Sequence, residues 1–115
     1  MSGVRYQEVV QRDREELEIL LRSGDEQNLQ NALLSAAFYD PEWKWVQSQC
    51  LAFTRHSDHS VRRVAATCLG HIARIHRQLD LDLVLQRLAE MKVDPLVSAG
   101  VDDALDDIRF YLKFQ

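Results

Sequence analysis

Apolar residues recur along this chain at steps of three and four, the spacing that gathers side chains on one face of an α-helix, and almost nowhere alternate at steps of two as a strand would require. Six such segments can be read. The first spans residues 6–22, where Val9, Val10, Leu17, Leu20 and Leu21 share a side and Gly24 supplies the stop. Asp25 then caps a second stripe through Leu29, Ala32, Leu33, Ala36 and Ala37, because its carboxylate can accept from amides that a helix start leaves unbonded. Asp40 followed by Pro41 opens a third helix over residues 41–54, with Trp43, Val46, Cys50 and Phe53 on one face and Trp45 and Gln49 turned elsewhere. Ser57 or Asp58 caps the fourth, whose inner stripe is Val61, Ala65, Cys68, Leu69, Ile72 and Ile75. A short fifth covers residues 81–91. Asp94 with Pro95 starts the sixth, in which Val97, Val101, Ala104, Leu105, Ile108 and Leu112 face inward.

The segments echo one another. Sliding the fourth helix forward by about 36 positions sets Asp58 on Asp94, Val61 on Val97, Ala65 on Val101, Leu69 on Leu105 and Ile72 on Ile108, a period typical of helical repeats. Sliding it back by about 33 sets Asp25 and Ala32 on Asp58 and Ala65, a poorer match. The run Asp58-x-x-Val61-Arg62-x-x-Ala65, continued by Leu69 and Ile72, resembles the second helix of a HEAT repeat, and Asp94-Pro95-x-Val97 repeats part of it. This resemblance implies an all-α, right-handed α-solenoid of about three helix pairs. It also implies that Asp58 and Arg62 tie successive repeats together. Ser98 stands where Arg62 does in the preceding unit and the first unit matches poorly, so the outer units read as capping repeats.

Composition narrows the function classes. A chain of 115 residues is one domain. Its start, MSGVRYQEVV, lacks the apolar core of a secretory signal, and no apolar run approaches the ~18 residues of a bilayer span, which places the expectation in the cytoplasm and away from membranes. Cys50 and Cys68 lie in separate apolar stripes without a CxxC and read as buried, reduced core residues. A net charge of −4 argues against a nucleic-acid partner, which needs clustered Lys and Arg, and favours a basic one.

Candidate chemistry is thin. His71 and His76, five apart, diverge by about 140° around a helix and cannot share a metal ion. His56 and His59 straddle a cap and read as a solvated loop pair rather than a metal site. Cys68 precedes His71 by three residues, yet its place on the apolar stripe denies it the exposed, electropositive setting of a nucleophile. No phosphate loop, HExxH or GxSxG occurs. The expectation is therefore a protein without catalytic residues, metal or cofactor.

Two polar groups remain as candidate partner contacts. Arg63, His71 and Arg74 fall near one polar side of the fourth helix. Asp102, Asp103, Asp106 and Asp107 make the last helix acidic beyond its first turn, where the dipole no longer rewards aspartate and the residue is a mediocre helix former. HEAT-like DNA-repair glycosylases carry a cationic groove, which these carboxylates would oppose. Trp45, Tyr39 and Tyr111 are candidate aromatic anchors at an interface. Gly70, inside a helix, marks a place where another helix comes close.

A narrower resemblance attaches to Asp40-Pro41-x-Trp43-x-Trp45-x-Gln47, to Ala65-Ala66-Thr67-Cys68-Leu69-Gly70-His71 and to Asp103-Ala104-Leu105-Asp106-Asp107-Ile108. These runs resemble the small HEAT-like immunity proteins of bacterial polymorphic and contact-dependent toxin systems. That resemblance implies a non-enzymatic protein that binds a cognate protein toxin, often a nuclease, through a basic toxin surface. A generic HEAT scaffold and, more remotely, a HEAT-like glycosylase or lyase are the alternatives.

Overall fold

The computed structural model describes residues 8–113 and arranges them in six helices: α1 (Arg14–Leu21), α2 (Glu26–Tyr39), α3 (Trp43–Phe53), α4 (His59–His76), α5 (Leu81–Met91) and α6 (Ser98–Leu112). Among the described residues there is no strand, and no helix is long and apolar enough to cross a membrane.

Capping chemistry decides where each helix begins. The expected first helix is much shorter than its apolar pattern. Asp13, in extended backbone, accepts from the Glu16 amide at 2.9 Å while the Glu16 side chain accepts from the Asp13 amide at 3.4 Å, and this capping box stops the helix from growing backward. Val10 is consequently 57% exposed, and residues 6 and 7 lie outside the described chain. Asp25 caps α2 through the Asn28 amide, and Asp58, not Ser57, caps α4 through the Val61 amide. Asp40 does not cap α3. Its carboxylate accepts from the Glu42 amide and from Arg14, so α3 starts two residues beyond Pro41. Asp94 likewise organises a turn through the Leu96 amide, delaying α6 to Ser98.

α4 is the centre. It packs against α6, α2 and α3, while α1 lies on α2 and α5 on α6. Val61, Ala65, Cys68, Leu69 and Ile72 are fully buried there, as their periodicity predicts. Ile75 is not: it is 36% exposed in the last turn of α4, about where α2 also ends. Neighbours across the α4–α6 seam show that the two helices run in the same direction: Gly100 lies against Arg63 and Thr67, Gly70 against Ala104, and Arg77 covers Tyr111. Phe38, near the end of α2, meets His71 and Arg74 near the end of α4, so α2 runs alongside too. The molecule measures 36 × 30 × 28 Å, a block in which three helix pairs produce no marked elongation.

Polar ties join one pair to the next. Arg62 donates to the His56 and Ser57 carbonyls at 2.9 Å and pairs with Asp94 at 3.4 Å. Gln47 and Asp80 exchange hydrogen bonds between α3 and the start of α5, and Arg87 donates to the Thr54 hydroxyl and carbonyl. Cys50 and Cys68 are buried and free. The neighbouring Cys50 thiol, together with burial, pushes the Cys68 thiol well above its ordinary range, so it carries no thiolate at neutral pH.

Candidate protein-binding surface

The parallel run of α2, α4 and α6 leaves a cleft of about 420 Å³ between α2 and α6, floored by α4. Phe38 supplies the α2 wall. Thr67, His71 and Arg74, at helical steps of four and three, form the floor, and Asp103, Asp106 and Asp107 form the α6 wall. The cleft therefore joins His71 and Arg74 to three of the four carboxylates singled out in the sequence.

Its floor is held by a cation and a neutral imidazole. Arg74 Nη2 lies 3.2 Å from His71 Nδ1, and its guanidinium sits 5.3 Å from the centre of the Phe38 ring. Since a guanidinium can only donate, Nδ1 accepts and the His71 proton resides on Nε2. Burial, with the Arg74 charge adding, lowers the His71 pKa to about 4. His71 is thus not the exposed polar contact that its helix side suggests: it is 3% exposed, packed edge-on against Phe38. Burial also raises Asp107, against the pull of Arg74 and with Asp103 and Asp106 adding to the rise. Asp107 can tuck inward because Gly70 lacks a side chain; a Cβ there would stand 3.2 Å from its Oδ2. Asp103 and Asp106 are exposed at the mouth, with Asp106 only loosely paired to Arg109 at 3.9 Å.

The other sequence candidates lie apart. Asp102 pairs with Lys92 outside the cleft. Arg63 stands eight residues before His71, about 12 Å down the α4 axis, with its stem against Gly100. Tyr39 is 41% exposed beside Phe38 but does not line the cleft. Tyr111 lies under Arg77. Trp45 is half-buried, with Arg14 stacked 3.7 Å from its ring and Leu21 and Phe53 beside it in a separate hollow of about 290 Å³. Two residues escaped the sequence reading. Phe38 builds a wall, and Phe110, 67% exposed, continues the face of α6 that bears Asp103 and Asp106. The steps of three and four from Asp103 through Asp106 to Phe110 were the available signal.

No family model matches the chain, and no curated protein matches it. Among solved structures, a chain in the crystal structure of a CDI complex from Cupriavidus taiwanensis LMG 19424 is similar to it. The two are 33% identical with a TM-score of 0.84, over 95% of this chain and 98% of that one.

Proposed function

This chain belongs to the family of that CDI-complex chain, and from that premise we propose that it is an immunity protein of a contact-dependent inhibition system, neutralising a cognate toxin by direct binding. The observation that carries this reading is the match over nearly the whole length of both chains. A binding role needs no reactive centre, and the buried, protonated Cys68 and the neutral, buried His71 fit such a role.

In this proposal the fold is a short HEAT-like solenoid acting in the cytoplasm. The three parallel second helices and the ties through Arg62, Gln47 and Arg87 support it. The toxin meets the α2–α4–α6 cleft with a basic surface. Asp103 and Asp106 oppose its cations and speed encounter, while Tyr39 and Phe110, exposed outside the cleft, provide apolar contacts. Arg74 in the floor and Asp107 in the α6 wall set the shape and charge of the cleft.

The test is co-purification with the product of the neighbouring upstream gene, followed by co-expression of the two. Binding together with rescue of cell growth is the expected result. A toxin that neither binds the chain nor is restrained by it would refute the reading.

A further inference from the structure

A second groove shares no lining residue with the cleft. It holds about 530 Å³ where the start of α3, the turn between α4 and α5 and the end of α6 meet. Trp43, Leu79, Leu81 and Leu112 give it apolar walls, and Lys44 and Arg77 stand among them. Among the described residues neither cation has a carboxylate at ion-pair distance, whereas Arg14, Arg62, Arg87 and Lys92 each have one. Lys44 instead sits 5.6 Å from the Trp43 ring, and Arg77 lies 5.0 Å from the ring of Tyr111. Asp80 also lines the groove, but its carboxylate accepts from Gln47, which partly occupies it. Arg77 is further distinguished by its backbone: it ends α4 in the left-handed region at φ 57°, where glycine is the usual residue and a side chain carries a strain cost.

We propose that this groove docks a segment of a partner protein in which carboxylates flank a large apolar side chain. The apolar group seats between Trp43, Leu81 and Leu112, and the carboxylates meet Lys44 and Arg77. The charge of the groove selects this occupant. In an otherwise acidic chain, two cations without carboxylate partners rim an apolar floor, the complement of an acidic segment with an apolar anchor. The inference does not rest on the immunity reading, which concerns the other cleft.

The test titrates the isotope-labelled full chain with a blocked peptide of sequence Asp-Leu-Glu-Phe-Asp and follows amide and indole resonances. Saturable shifts at Trp43, Lys44, Leu81 and Leu112 are expected, with none from a peptide carrying lysine at the acidic positions. Lys44→Glu combined with Arg77→Gly should weaken binding at least about fivefold. Both positions are exposed and glycine suits the left-handed backbone, so the variant should keep its fold, checked by circular dichroism. Absence of shifts at millimolar peptide, equal binding by the variant, or equal binding of the lysine peptide would each overturn the proposal. So would concentration-dependent broadening of these same resonances without peptide, which would make a second copy of the chain the occupant.

Discussion

Gly70 and Ala104 mark a close approach of α4 and α6: a Cβ on Gly70 would lie 2.8 Å from the Ala104 Cα, a backbone atom that cannot swing aside. Gly70→Ala gains about 1 kcal/mol of helix propensity, but it must push the two helices apart. A net loss of about 1–3 kcal/mol is expected from urea unfolding. Gly100→Ala should cost stability as well, because a Cβ there would stand 2.7 Å from the Arg63 Cγ, close to its backbone, and 3.0 Å from both the Arg63 carbonyl and the Thr67 Oγ1. A Gly70→Ala variant as stable as the parent would contradict this account of the seam.

Arg14 is held from two sides. Its guanidinium makes 3.0 Å hydrogen bonds to both Asp40 carboxylate oxygens and stacks 3.7 Å from the Trp45 ring, joining α1 to the α2–α3 corner. Burial by itself would raise Asp40, but the Arg14 hydrogen bond and the Glu42 amide outweigh it and hold the carboxyl below its ordinary range. Arg14→Met should therefore cost about 2 kcal/mol in denaturant unfolding, since it strands a buried carboxylate. Asp40→Asn with Arg14→Met should recover part of that loss. The stabilisation from Asp40 is in place above its unfolded pKa and is lost as pH falls through the depressed folded value.

His71 gives the fold a pH dependence of definite sign. Its pKa falls from 6.5 to about 4 on folding, so between those values the unfolded chain holds a proton that the folded chain refuses. Stability is complete above pH 6.5 and declines as pH falls toward 4, by roughly 2 kcal/mol between pH 7 and pH 5. Asp107, raised by burial, acts in the opposite direction as it is protonated. Chemical unfolding at the two pH values should show the larger loss in the parent and a smaller one in His71→Gln. Parallel behaviour of the two proteins would remove His71 as the cause.

The two sides of the acidic helix should separate in binding. Asp103→Lys with Asp106→Lys reverses charge at the cleft mouth and should weaken affinity for the proposed toxin partner by roughly tenfold or more, chiefly through a slower association rate whose difference high salt abolishes. Asp102→Ala removes only an exposed pair with Lys92 and should change affinity by less than about twofold. Surface plasmon resonance at low and high salt distinguishes them. Equal sensitivity at the two places would move the contact away from the cleft.

Local rules were legible in the chain wherever a single helix face carried the information. Val61, Ala65, Leu69, Val101 and Ile108 declared the core by spacing, Asp25 and Asp58 announced two helix starts, and Gly70 signalled a close approach. Helix starts failed where a carboxylate had a more distant claimant. Nothing near Asp40 in the sequence shows that Arg14 will occupy it, and nothing near Asp94 shows that it will serve a turn and Arg62.

What the amino-acid order determined by itself was six helices, their apolar stripes and the acidity of the last, because hydrophobic periodicity and charge are properties of single segments. Only the tertiary structure decided that His71 is buried, that Asp102 leaves its three neighbours, and that Phe38 walls the cleft. Those outcomes depend on which helix lies beside which and how far each runs. A helix wheel records the direction of a side chain but not what stands opposite it.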